Sequence, residues 1–173
     1  ALRDGLTGLY NQRYLYQALA EEIQRAKAAG TPVSLIFMDL DHFKRVVDTH
    51  GHLNGSRAIQ KVAGTIASCL QEPAYAVAYA GDEFVVVLPG LDQTQALQKA
   101  HQIRSRVKDT VYILNCGVEV RLQASYGVAT FPLHAGDSNG LIAAADQALF
   151  AVKEGGKNGV GQYPEGQPLQ SPS

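Results

Sequence analysis

Apolar positions along the chain recur at helical spacing in some stretches and run together in the segments between them. Leu15, Leu19 and Ile23 fall four apart and Gly30 follows the last periodic residue, so the pattern predicts a helix over 11–29. PVSLIFMD (32–39) is a continuous apolar run bounded by Pro and Asp, which reads as a central strand buried on both faces. Residues 41–48 read as a short helix. GHLNGS then reads as an interruption before a second helix over about 55–70, with Ile59, Val62, Ala63 and Ile66 on one face. AYAVAYAGDEFVVVL reads as a hairpin with a tight turn at Ala80–Gly81. Asp92 is the expected N-cap of a helix over 92–108, whose apolar face is Leu97, Ala100, Ile103 and Val107. Two strands follow at about 117–124 and 125–131. A helix over 138–154 carries Leu141, Ala145 and Leu149 four apart, and GGKNGVGQY closes with a turn and a short strand. This order predicts an α+β fold, with helices flanking a mostly antiparallel sheet.

Composition narrows the class. The chain has 173 residues, 46% of them hydrophobic, which suffices for one domain with a core of its own. That domain is expected over 1–163, with no internal repeat. The ending PEGQPLQSPS is rich in Pro, Ser and Gly and predicts a disordered tail over 164–173. The start at ALRDGLTGLYN, without an initiator Met, suggests a module of a longer protein. A net charge of -1 with 18% charged residues argues against a nucleic-acid partner. No apolar run approaches the roughly 20 residues that span a bilayer, and no signal peptide is expected. Cys69 and Cys116 are too few and too far apart for a disulfide framework or a zinc site. They read as small buried apolar residues in a reducing cytoplasm.

Candidate chemistry lies in the acids. Asp39 ends the buried strand, and the hairpin turn carries Asp82 and Glu83. If the hairpin pairs beside 32–39, three carboxylates converge on one sheet edge. Hard oxygen donors of this kind suit Mg²⁺, which also takes phosphate oxygens and water. Without a divalent ion such acids would repel one another. Each acid alone equally suits a strand end or turn, where Asp bonds its own backbone; the combination points to a metal. His50 and His52 in THGH lack a third ligand nearby and make a weak metal motif, and His101 and His134 read as exposed.

YAGDEF (79–84) resembles the signature of the GGDEF family of nucleotide cyclases, with Ala80 in place of the first glycine. DGLTGLYNQR (4–13), LIFMDLDHFKRVVDTHGHLNGS (35–56), ASYGVATFP (124–132) and AADQALFAVKEGGKN (144–158) resemble the family's other blocks, in the same order. The likeness runs over about 4–162. It implies a nucleotide-cyclase-like fold with a ferredoxin-like core, and a nucleotidyltransferase. Two facing domains each bind a nucleoside triphosphate, and the 3′-hydroxyl of each attacks the α-phosphate of the other, expelling pyrophosphate. By the same resemblance Asp39, the Leu40 carbonyl, Asp82 and Glu83 hold Mg²⁺ or Mn²⁺. Asp82 is also the proton acceptor, which makes Asp82 and Glu83 the catalytic acids. The ions would lower the pKa of the attacking hydroxyl and neutralise the pyrophosphate. The turn through His42, Phe43 and Lys44 would offer backbone N–H groups to the β- and γ-phosphates. Lys153 and Lys157 match two phosphate clamps; Lys157 stands where many members have Arg, and gives up the bidentate fork. Both lysines equally suit a helix end, where the dipole favours cations. The partners implied are GTP and ATP, a second copy of the domain, and an N-terminal sensor or dimerisation region.

Base recognition is where the chain departs from GTP-specific members, which carry Asn and Asp on the guanine edge. Here Val47 and Ser56 stand at those positions, with His52 beside the pocket. Val47 offers nothing polar, whereas the Ser56 hydroxyl can donate or accept and so can satisfy the adenine N1 acceptor. A bidentate base contact is worth about 1–3 kcal/mol, so its loss costs about ten- to a hundred-fold in guanine preference. Ser at this position resembles the hybrid, promiscuous (Hypr) subgroup. The leading expectation is therefore a synthase of 3′,3′-cyclic GMP-AMP that also makes cyclic di-GMP and cyclic di-AMP. Two other readings stay open. One is a GTP-specific diguanylate cyclase that tolerates Ser56. The other is an inactive nucleotide- or partner-binding module, favoured by Ala80 and Val47 and opposed by Asp39, Asp82, Glu83, Lys153 and Lys157. The family's inhibitory RxxD window falls on QEPA (71–74), which has neither Arg nor Asp, so no inhibitory site is expected there.

Overall fold

Residues Val33–Leu40 form β1, an eight-residue strand whose first six residues are all buried, as the uninterrupted apolar run requires. The structure, a computed structural model, describes residues 1–164. All of the expected disordered tail except Pro164 therefore lies outside the described residues. β1 pairs antiparallel with β3 (Glu83–Pro89) on one side and β6 (Ala124–Phe131) on the other. β2 (Tyr75–Ala80) lies outside β3, and β7 (Val160–Gln162) joins β6 in parallel, giving the order β2-β3-β1-β6-β7. This is the mostly antiparallel α+β sheet that the pattern predicts.

Alternation along the strands divides the core in two. Ile36, Met38, Leu40, Phe84, Val86 and Tyr126 face α3 (His52–Ser68) and α4 (Gln93–Asp109). Leu35, Phe37, Val85, Val87 and Phe131 face α1 (Gln12–Ala29) and α5 (Ser138–Glu154). Burying one such side chain contributes about 1.5–3 kcal/mol, so apolar packing is what chiefly holds both layers of helices on the sheet. Caps fix the helix ends. Asn11 accepts from the Tyr14 amide, Asp92 forms a capping box with Gln95, and Asp137 accepts from the Gly140 amide. Gly127 on β6 lets α5 approach closely: a Cβ there would run into the Ala145 carbonyl and the Leu149 amide. Among the described residues no helix is long and apolar enough to cross a membrane.

Several boundaries differ from the sequence pattern. GHLNGS does not interrupt: Gly51, at φ 87°, separates α2 (Phe43–His50) from α3, which is already helical at His52. Gly55 sits inside α3 because Val47 and Phe43 of α2 pack on its bare Cα; an added Cβ would meet Val47 Cγ2 at 2.9 Å. The hairpin turn falls one residue later than expected. Ala80 pairs with Glu83, leaving Gly81 (φ 49°) and Asp82 as the two loop residues. The expected strand over 117–124 is only β5 (Glu119–Val120), which pairs with β4 (Tyr112–Ile113) in a separate ribbon. Cys116 (φ 60°) and Gly117 (φ 75°) turn the chain there in left-handed conformations, and Cys116 is exposed rather than buried. His134 is buried, contrary to expectation. The loop after β6 folds back so that its Nδ1 accepts from the Thr130 amide at 3.0 Å.

Candidate active site

The acids meet where β1 ends. Asp39 continues the Val33–Leu35–Phe37 face of β1, which turns it toward the α1/α5 side of the sheet. Its cross-strand partner is Glu83, the first residue of β3, and the two-residue turn puts Asp82 directly before that partner. The Leu40 amide donates to the Asp82 carbonyl at 3.2 Å, and Gln12 of α1 donates to the Tyr79 carbonyl at 2.6 Å, so the turn is tied to β1 and α1.

Electrostatics record the crowding. The Asp82 carboxyl is pushed up to about 6, first by burial and then by the Asp39 charge. Glu83 is raised by burial and by the Asp39 and Asp82 charges. Asp146 of α5 is raised by burial and by Asp39, so it belongs to the same negative field. The cation in that field is Lys153, in the last turn of α5. Its ammonium lies 3.0 Å from Asp39 Oδ2, 3.3 Å from Asp41 Oδ1 and 3.5 Å from the Leu40 carbonyl oxygen.

Asp41 is the residue that the motif reading passed over. Its side chain is 1% exposed; Ser125 Oγ donates to Oδ1 at 2.7 Å and the Asn158 amide donates to Oδ2 at 2.9 Å. It thereby ties the end of β1 to the start of β6 and to the loop after α5. Its spacing of two from Asp39 was the available signal. Asp146 had none, because a helix-surface acid looks alike whether or not it faces a sheet edge.

The other expected residues are placed as follows. His42 precedes α2 at φ 56° and makes no side-chain cap, so the first turn of α2, Phe43 and Lys44, is without a capping side chain. The Lys44 side chain is drawn to Asp48 at 2.8 Å in an exposed pair. Lys157 sits at φ 66° in the loop after α5, with its amide on the Val152 carbonyl and no ion pair among the described residues. Val47 is packed against Gly55, whereas Ser56 and His52 are exposed in the first turns of α3. Ala80 is an exposed strand residue without positive φ, so its methyl strains no turn. Gln71–Ala74 form a turn closed by the Ala74 amide on the Gln71 carbonyl.

The donor set fits a divalent ion of the Mg²⁺ type. Among the described residues no three His, Cys, Asp or Glu side chains close around one point. What the site offers is the Asp39–Asp82 pair with the Leu40 carbonyl, and Asp39 Oδ1 is buried without a hydrogen-bond partner among the described residues. Two carboxylates and a carbonyl, with the remaining positions left to water and phosphate oxygens, are what Mg²⁺ accepts.

The profile of the diguanylate cyclase GGDEF domain matches residues 1–159. The diguanylate cyclase DosC of Escherichia coli (strain K12) is 38% identical over 157 residues, which cover 91% of this chain and 34% of DosC. The response regulator PleD of Caulobacter vibrioides (strain NA1000 / CB15N) is 33% identical over 161 residues, 92% of this chain and 36% of PleD. The chain thus spans about a third of the length of these curated relatives. The GGDEF domain of DgcB from Caulobacter crescentus, solved in complex with c-di-GMP, superposes with a TM-score of 0.88 at 29% identity, over 94% of this chain and 96% of that one.

Proposed function

Because this chain belongs to the diguanylate cyclase GGDEF-domain family, we propose that it is the catalytic domain of a diguanylate cyclase, condensing two GTP into cyclic di-GMP with release of two pyrophosphates. The observation that carries the reading is the pairing of Asp39 with Glu83, directly after the Gly81–Asp82 turn, at the mouth of the core. It supports Asp39, Asp82 and the Leu40 carbonyl as the holders of Mg²⁺ or Mn²⁺, with Glu83 as a further acid at the same edge. When bound, the ion supplies charge neutralisation at the phosphates and acidifies the attacking hydroxyl.

The chain's own residues do the rest. In the metal-free domain the Asp82 carboxyl is raised to about 6, so it is ionised at pH 7 and available as an acceptor. It is the acceptor for the 3′-hydroxyl proton. The uncapped first turn of α2, from His42 through Lys44, directs backbone N–H groups at the phosphates, and Lys153 and Lys157 neutralise them. One such domain holds one nucleotide, so two copies must face each other to close the product ring.

A second reading is favoured by Ser56 and Val47. With no carboxylate on the base edge, ATP enters as well, and 3′,3′-cyclic GMP-AMP appears beside cyclic di-GMP. The named relatives bear on cyclic di-GMP alone, so the mixed product rests on these two residues. Incubation of a dimerised domain with Mg²⁺ and equal GTP and ATP, followed by mass spectrometry, separates the readings. Cyclic di-GMP alone sustains the first, and cyclic GMP-AMP in comparable amount sustains the second. No cyclic dinucleotide of any kind means an inactive module.

A further inference from the structure

We infer that Lys153 is the resident cation of the site. In the empty domain its ammonium holds the oxygens that a divalent ion takes, and the ion loads by exchange with it. The inference rests on the reading of Asp39, Leu40 and Asp82 as the ion's holders.

The contacts overlap. The ammonium lies 3.0 Å from Asp39 Oδ2 and 3.5 Å from the Leu40 carbonyl, two of the donors assigned to the ion. The ammonium is on Asp39 Oδ2 while Asp39 Oδ1 is without a hydrogen-bond partner among the described residues, so a divalent ion at this carboxylate would sit beside the ammonium and be repelled by it. The field of Asp39, Asp82, Glu83 and Asp146 attracts whichever cation is present, and the Lys153 charge counters it at Asp82 and Glu83. The lysine can also let go. Asp41, its second partner, is held independently by Ser125 Oγ and the Asn158 amide, so the departure of the ammonium does not leave a buried carboxylate bare.

The exchange has a thermodynamic consequence. Metal alone must displace an ammonium that gains nothing in return, so it binds weakly. The phosphates of a bound nucleotide give the ammonium a new anionic partner, so nucleotide and metal strengthen each other's binding beyond their direct contact. The chain thereby discriminates against holding a metal before its substrate arrives.

Mn²⁺ binding to the nucleotide-free domain, read as the free-ion electron paramagnetic resonance signal, tests this. Lys153→Met keeps the stem and removes the charge. It is expected to bind Mn²⁺ about tenfold more tightly than wild type, as for a site otherwise competent one-tenth of the time. Adding Asp39→Asn to Lys153→Met must abolish the gain. An affinity in Lys153→Met equal to or below that of wild type overturns the exchange, as does a gain that survives Asp39→Asn. Should Lys153→Met fail to fold, the wild-type domain with ¹³C-methylated lysines serves, its Lys153 signal assigned through Lys153→Arg. That signal must titrate with Mg²⁺ occupancy, and a signal that stays fixed through saturation overturns the inference. Unchanged Mn²⁺ affinity in Lys153→Met, where the wild-type domain makes cyclic di-GMP, overturns the exchange alone. A wild-type domain that takes no Mn²⁺ with or without GTP overturns the reading beneath it as well.

Discussion

Ser125 Oγ donates a 2.7 Å hydrogen bond to Asp41 Oδ1, and both side chains are buried at the junction of β1 and β6. The other Asp41 oxygen receives the Asn158 amide, so one carboxylate joins three segments. Asp41→Ala leaves the buried Ser125 hydroxyl without its acceptor and takes from the Asn158 amide one of its two acceptors, the other being Ser125 Oγ at 3.1 Å. The expected cost is about 1–3 kcal/mol, measured by denaturant unfolding. Metal-free Asp41→Ala should also lose the ordering of the loop after α5, read as faster amide exchange at Asn158. A variant as stable as wild type would mean that Asp41 is not the tie described.

Gly127 sets the position of Lys153. α5 lies on β6 at this glycine, with the Ala145 carbonyl and the Leu149 amide where a side chain would be. Backbone atoms of a packed helix cannot step aside, so Gly127→Ala must push α5 off the sheet. Overpacking of this kind costs about 1–3 kcal/mol, and here the upper end is expected. Cyclase activity should fall more than the stability loss explains, because the helix carries Lys153 toward Asp39. Assay at a temperature where the variant remains folded checks this.

The acids set a pH dependence with a definite sign. Asp82 has its folded-state value raised from 3.8 to about 6. A group raised on folding stabilises the protein fully below its unfolded value, and that stability is lost as pH rises through the folded value. The metal-free domain is therefore expected to lose stability between about pH 4 and 6 through this group. Glu83 and Asp146, also raised, act in the same direction. Mg²⁺ offsets the repulsion only where the carboxylates are ionised. The increase in Tm on adding Mg²⁺ should be larger at pH 8 than at pH 5, and should shrink in Asp82→Asn. Equal increases at both pH values would contradict the shared field.

Specificity follows from Ser56. Restoring a carboxylate with Ser56→Asp is expected to raise the GTP-over-ATP preference by about ten- to a hundred-fold, the worth of one good base contact. Competition between the two nucleotides, read from the product ratio, measures it. The position is exposed in the first turns of α3, so stability should not change.

Much of this was legible in the chain. The four-residue spacing of Leu15, Leu19 and Ile23 and the caps at Asp92 and Gly30 mark α1 and α4 because period and terminus are local properties. β1 is legible because burial on both faces leaves Ser34 as the one polar residue before Asp39. Other features were not. Gly55 looks like a break, yet it is a helical residue chosen for the approach of Val47 and Phe43, a fact of tertiary packing. The β4–β5 ribbon is too short to show a period. Asp41 was hidden because a turn aspartate and a buried triple acceptor read alike. The ammonium of Lys153 on Asp39 joins residues more than a hundred positions apart, and charge alone does not say which acid a lysine meets.

The claim at the centre is that Asp82 takes the proton of the attacking hydroxyl in a GTP-condensing dimer. The direct measurement is the rate of cyclic di-GMP formation from GTP and Mg²⁺ by the domain fused to a dimerising coiled coil, for wild type and for Asp82→Asn. Wild type is expected to release two pyrophosphates per cyclic di-GMP, and Asp82→Asn to be slower by about a hundredfold or more, the usual worth of a positioned proton acceptor. A wild-type dimer that makes no cyclic dinucleotide, or an Asp82→Asn dimer that makes it at the wild-type rate, contradicts the account.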